Sequence, residues 1–317
     1  MAKDASRPLA GKVALVAGAT RGSGRGTARM LGEAGATVVC TGRNSREARA
    51  DRGHYAGRPE TIEETAELVT AAGGIGVALR VDHADEAEVA ALFRRVKAEH
   101  GGLDVLVNVL GGEVAMGSER LWQIDYEAGR RLFESWVWPH VLTARHAAPL
   151  MKRAGLMVEM VEGHELGGYR GHFYFDLILT SLKRLAYALS EELASRQVTS
   201  VALAPGFMRT EGILDYFGAT EANWREVAEA NPSAKQFGFA GSETPCFVGR
   251  AIAAIAADPK RARWSGGLYG SWQMADEYGF TDLDGSRPHW GRFFEENYPG
   301  MANGATTTGR KWQLVGP

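Results

Sequence analysis

Val13-Ala14-Leu15-Val16-Ala17-Gly18-Ala19-Thr20-Arg21-Gly22-Ser23-Gly24 is the stretch that decides the fold. Its apolar start reads as a short buried strand, and a helical pattern opens at about residue 24. Between them lie three glycines. Glycines at a strand-to-helix turn let the backbone approach a pyrophosphate, which then sits on the helix N-terminus. Gly18, Thr20, Arg21, Gly22, Ser23 and Gly24 are therefore the candidate cofactor loop.

The rest of the chain repeats the strand–helix alternation. Thr37–Cys40, Ile75–Val81, Val105–Val109, Leu156–Val161 and Val198–Ala204 read as further buried strands. Helical patterns fall at roughly 24–34, 60–72, 85–99, 124–153 and 173–195. In the last of these, Ile178, Leu182, Leu185, Leu189 and Leu193 form one core-facing stripe. Pro139 is expected to kink or split the fourth pattern. Strands that alternate with helices of this length predict right-handed crossovers and a doubly wound parallel α/β sheet, Rossmann-type. Asn44–Pro59 is a polar insertion carrying Arg46, Arg49, Arg52 and Arg58. The expected organisation is a dinucleotide-binding domain over 1–270 with a substrate lid at about 207–240. An extension follows over 271–317, whose aromatics (Trp272, Tyr278, Phe280, Trp290, Phe293, Phe294, Tyr298, Trp312) predict packing over the sheet edge, the pocket or a partner subunit.

Composition bounds the function. The chain has 317 residues, 45% hydrophobic and 23% charged, with formal net charge −2, so no bulk charge favours nucleic acid or an anionic membrane. No apolar run is long enough to span a bilayer, and Met1–Lys12 lacks an apolar leader core. Cys40 and Cys246 show no paired spacing, so no disulfide framework or metal site is expected and a cytoplasmic location is the plain reading.

The end of the second strand selects the nucleotide. An acid there would accept the ribose hydroxyls of NAD, but the chain reads Cys40-Thr41-Gly42-Arg43. Arg43, with Arg21 in the glycine loop, suits a 2′-phosphate, which favours NADP(H).

These residues resemble the short-chain dehydrogenase/reductase family. The glycine loop is similar to its TGxxxGxG loop, with Ala17 in place of the threonine. Asp82 resembles the family's adenine-contacting aspartate. Leu103–Gly111 resembles LDxLVNNAG, keeping Asn108 and Gly111. Ala204–Thr210 resembles the PGxxxT segment, with Pro205, Gly206 and Thr210, whose threonine holds the nicotinamide carboxamide in the family. The match covers about residues 10–270, and the ending resembles a branch with a C-terminal extension. Family members usually pack two helices across two-fold axes, so the resemblance implies a homodimer or homotetramer.

The same resemblance implies an Asn-Ser-Tyr-Lys tetrad, and this chain departs from it. Counting back from Glu192-Leu193 puts the family's Lys at Leu179 and its Tyr at Phe175; the Ser falls on Glu162, and counting back from Pro149 puts the Asn at Trp136. Phe175 and Leu179 can neither donate nor accept a proton. Glu162 would repel a developing alkoxide, yet would suit a cationic iminium as the anion, or act as general acid when protonated. Tyr174 is the other catalytic candidate, one residue early in the helix, with His164, Tyr169, His172 and Asp176 nearby. The expected function is an atypical NADPH-dependent reductase acting on an apolar imine or iminium, enone or carbonyl. The alternatives are a non-catalytic NADP-binding regulatory protein and a non-redox cyclase or isomerase on the same scaffold.

Overall fold

The computed structural model describes residues 7–49, 56–111, 119–163 and 172–297. Seven strands form one sheet: β1 (Val13–Ala17), β2 (Thr37–Gly42), β3 (Ile75–Arg80), β4 (Leu103–Asn108), β5 (Met151–Met160), β6 (Thr199–Ala204) and β7 (Leu268–Gly270). The order is β3-β2-β1-β4-β5-β6-β7, and every pairing is parallel. The helices between them are α1 (Gly22–Glu33), α2 (Ile62–Ala71), α3 (Glu86–His100), α4 (Tyr126–Ala147) and α5 (Phe173–Glu192). After β6 come α6 (Glu211–Phe217), α7 (Trp224–Ala230), α8 (Pro232–Gln236) and α9 (Pro245–Ala257). α10 (Ser271–Tyr278) and α11 (Trp290–Asn297) follow β7.

Period-2 alternation distributes the strands' side chains to two layers. Ala14, Val16, Val38, Val105, Val107, Leu156 and Val158 bury one face against Leu31 of α1, Val69 of α2 and Val248, Ile252 and Ile255 of α9. Leu15, Ala17, Val39, Leu106 and Met157 bury the other against Val89, Leu92 and Phe93 of α3 and Ala144 of α4. Further along that second face, Val161, Ala202 and Ala204 meet Ile178, Leu182 and Ala186 of α5. α1 and α9 touch backbone to backbone, because a Cβ on Gly26 would lie 2.2 Å from the Pro245 carbonyl oxygen.

Two expectations need correction. Of the kink or split expected at Pro139, the split does not occur, since α4 runs as one helix from Tyr126 to Ala147. A proline removes one helical donor, and buried Val137, His140, Thr143 and Ala144 hold the turns around it. The polar start of β5, Lys152-Arg153, hid five residues of that strand, in which Met151 pairs with Leu103. β1 leads outward to β2 and β3, and the chain then returns to β4 beside β1. The crevice beyond the carboxyl ends of β1 and β4 is the switch point where doubly wound sheets bind ligands.

Candidate active site

The glycine loop closes this crevice. Gly18 and Ala19 donate their amides to the Thr41 carbonyl at 3.0 and 2.8 Å, which ties the loop to the end of β2. Gly18 has φ +89°, and a Cβ there would lie 2.2 Å from the Val109 carbonyl oxygen. A Cβ on Gly24 would lie 2.1 Å from the Gly18 oxygen. Neither position tolerates a side chain, and Thr20 and Ser23 are buried around them. Arg25 braces the loop from behind through the Thr20 carbonyl and Glu64.

The first amide of α1 already holds an anion. Gly22 donates its N–H to Glu211 Oε2 at 2.8 Å, so the helix N-terminus accepts negative charge, as its dipole and open donors require. That contact fits this end of α1 to a dinucleotide pyrophosphate.

At the neighbouring end of β2, Arg43 is half-buried and makes no hydrogen bond or ion pair among the described residues. Arg21 turns toward Glu60, with Nε 3.1 Å from Oε2. Glu60 also takes a two-pronged bond from Arg58, at 3.0 and 2.6 Å to Oε1. Burial raises the Glu60 pKa, but the bonds from Arg58 and Arg21 outweigh it and hold it at about 2. An acid therefore stands beside Arg21, although none ends β2. Asp82 follows β3 and accepts from the Ala84 amide at 3.0 Å.

Of the predicted tetrad positions, Trp136 and Phe175 come together as an apolar wall, with Leu179 one turn further along α5. The Trp136 and Phe175 rings meet edge to face, with centroids 5.9 Å apart. Trp136 also lies against Gly111, its Cη2 3.1 Å from where a Cβ would stand. Phe175 and Leu179 are buried. His172 caps α5 and accepts the Phe175 amide on Nδ1 at 3.3 Å. Tyr174 lies over Gly129 of α4, where a Cβ would meet its ring at 2.2 Å, and stacks edge-on with Phe173. Glu162 is exposed just beyond β5. His164 and Tyr169 lie outside the described residues.

Under this wall is a buried polar network joining Asn108 to Glu159 and His140, the last two of which sequence reasoning missed. Asn108 Nδ2 donates to Glu159 Oε1 at 2.9 Å. His140 Nδ1 lies 2.5 Å from Glu159 Oε2, and His140 Nε2 lies 2.8 Å from the Leu110 carbonyl oxygen. A carbonyl only accepts, so Nε2 carries a proton. The network fixes the Leu110–Gly111 segment from below. Beside it, His83 bridges Thr41 and Thr143 at 2.7 and 2.8 Å; burial pushes its pKa down to about 3, so it is neutral. The signal was present: an acid in the middle of an apolar strand needs a buried partner.

Pro205 and Gly206 form the far rim. The Gly206 amide donates to Glu243 Oε2 at 3.0 Å, and Ser271 Oγ donates to the same oxygen at 2.6 Å. Burial pushes the Glu243 carboxyl up to about 8, with Asp282 adding to it against the Ser271 and Gly206 bonds and Arg209. A Cβ on Gly206 would strike both Glu243 and Trp290 at 2.8 Å. The residues after 270 thus reach the site, where Trp290 packs on Phe207 with centroids 5.9 Å apart. Thr210 caps α6 through the Ile213 amide. Of the aromatics over 207–240, Phe217, Trp224 and Phe239 bury one another, whereas Tyr216 and Phe237 are exposed.

This geometry invites comparison with known proteins. The family model described as Enoyl-(Acyl carrier protein) reductase matches residues 18–261. Mouse Dehydrogenase/reductase SDR family member 1 is 30% identical over 287 residues, spanning 88% of this chain and 85% of that protein. The chain belongs to the short-chain dehydrogenase/reductase family. Hydroxynaphthalene reductase-like protein Arp2 of Metarhizium majus is 30% identical over 210 residues, 66% of this chain and 73% of its own. A short-chain dehydrogenase from Mycobacterium thermoresistibile superposes with a TM-score of 0.69 at 21% identity, covering 89% of this chain and 92% of that one. A Serratia marcescens short-chain dehydrogenase/reductase superposes at 0.63 and 24% identity, covering 83% and 96%. The sequence relatives support a reductase role, and family members use nicotinamide cofactors and small-molecule substrates. No helix among the described residues is long and apolar enough to cross a membrane.

Proposed function

We propose that the protein is an NADPH-dependent reductase whose substrates are apolar and need little acid assistance, such as an iminium or an enone. The observation that carries this reading is the pairing of a nucleotide cradle with the Trp136–Phe175 wall. Gly18, Gly22 and Gly24 present backbone to the pyrophosphate, and Arg43 with Arg21 supplies charge-assisted bonds to a 2′-phosphate. The bound cofactor supplies the hydride. At the wall, neither Phe175 nor Leu179 can protonate an alkoxide, so simple ketones are poor substrates; their aromatic and aliphatic surfaces exclude water and press an apolar substrate toward the rim at Gly206.

Glu162, exposed just beyond β5, pairs as an anion with a cationic substrate. Glu162→Gln then lowers turnover while leaving cofactor binding intact. The test of the whole reading is a substrate series with NADPH. Cyclic iminium ions and enones should turn over faster than matched simple ketones by on the order of 10²-fold, the lower end of what positioned acid catalysis contributes. Phe175→Tyr with Leu179→Lys should raise ketone reduction. Equal rates for ketone and iminium in the unaltered chain would overturn the reading.

A further inference from the structure

α6 carries two carboxylates one turn apart, Glu211 and Asp215, which share a face. Glu211 is bonded to the Gly22 amide, which the cofactor reading of the preceding section assigns to the pyrophosphate, and Asp215 is bonded to Arg58, which shares Glu60 with the Arg21 of that reading. Glu211 takes the Gly22 amide at 2.8 Å and lies 3.8 Å from Arg25 Nε. Asp215 Oδ2 takes Arg58 Nη2 at 2.8 Å, beside the Arg21–Glu60 pair at the nucleotide-selecting end of β2. α1 has no side-chain cap and no acid of its own in its first turn. The negative charge at its N-terminus comes from across the molecule, 189 residues further along the chain.

We propose that Glu211 and Asp215 are internal competitors for the cofactor's phosphates, so that binding a dinucleotide detaches α6 from the crevice and couples cofactor arrival to the position of the 207–240 segment. The two carboxylates have different counterparts. Every dinucleotide brings a pyrophosphate to the Gly22 amide and displaces Glu211. Only a 2′-phosphorylated one draws Arg58 away from Asp215. Glu211 therefore weakens all dinucleotides, and Asp215 weakens NADPH alone. Arg58 becomes a third selectivity residue with Arg21 and Arg43, while Glu60, buried and held by two arginines, stays in place as their counter-charge.

The test is equilibrium titration of the full chain and its E211Q and D215N variants with NADPH and with NADH, followed by calorimetry or nicotinamide fluorescence, with no turnover required. Gln keeps the shape of Glu211 and one acceptor oxygen for the Gly22 amide while removing the charge. The Glu211 side chain is 28% exposed and that of Asp215 68% exposed, so solvent screening reduces both effects. E211Q should tighten NADPH and NADH alike, by about three- to tenfold. D215N should tighten NADPH by about twofold and leave NADH unchanged. Unchanged or weaker binding of both dinucleotides by E211Q would overturn the competition at Gly22, and equal tightening of both by D215N would overturn the role of Arg58. If the unaltered chain bound neither dinucleotide, the cofactor reading itself would fail, and this inference with it.

Discussion

Removing His140 should be among the most costly single changes in the molecule. The imidazole and the Glu159 carboxylate are buried together, and each satisfies the other. His140→Ala leaves Glu159 with Asn108 as its one remaining donor among the described residues. It also strips the Leu110 carbonyl of the imidazole bond. Breaking a buried pair by deleting one partner costs about 3–5 kcal/mol, and a vacated acceptor about 1 kcal/mol more. Urea denaturation followed by tryptophan fluorescence reads the loss as a lower midpoint at unchanged slope. Glu159→Gln alone and in combination with His140→Ala completes a double-mutant cycle. A coupling on the order of 1–3 kcal/mol is expected for groups in direct contact. A loss below about 1 kcal/mol for His140→Ala, or strictly additive effects, would refute the coupling of this buried pair.

Three other outcomes follow from the same geometry. Glu243 has its carboxyl raised from 4.5 to about 8 in the fold, so the folded chain binds this proton more tightly than the unfolded one; stability should fall as pH rises from 4.5 to about 8 and level off above, and Glu243→Gln should flatten that segment of the urea-midpoint profile. Arg43→Ala should erase most of the preference for NADPH over NADH, about 1.5–3 kcal/mol by direct titration, and equal affinities before mutation would contradict the selection by Arg43. α4 exposes Tyr126 and Trp138, and α5 exposes Phe173 and Leu177, with Trp138 56% exposed; a homodimer or homotetramer assembled through these helices predicts that Trp138→Asp yields a smaller species in analytical ultracentrifugation, and an unaltered chain that is already monomeric would exclude it.

β1, β2, β4 and β6 were legible because they are buried on both faces and so appear as apolar runs. Val13–Ala17 stands as expected, and the glycine loop after it turns as the close approaches at Gly18 and Gly24 demand. β7 was not legible, since Leu268–Gly270 is too short to show a period. The α5 stripe held at Ile178 and Leu182, which are fully buried, while Leu185 and Leu189 are only half-covered. In the site, counting residues brought Trp136 and Phe175 to one place, because helix and strand lengths fix that spacing. What spacing cannot reveal is pairing between distant segments. Glu60 meets Arg21 through the insertion, Glu211 meets Gly22 across the sheet, and His140 meets Glu159 between layers. Each is a partnership of charge or hydrogen bonding made in three dimensions, and in the sequence each partner looks like an ordinary polar residue.

We propose that this family member keeps the hydride donor's site while replacing the residues that move the proton. The measurement that tests it most directly is a single-turnover reaction of the protein with NADPH deuterated at the transferable position of the nicotinamide and an enone or iminium substrate. Equimolar loss of NADPH, with deuterium recovered in the product and far slower reaction of the matched ketone, is the predicted result. Substrate conversion that leaves NADPH unconsumed, or ketone reduction at the same rate, would contradict it.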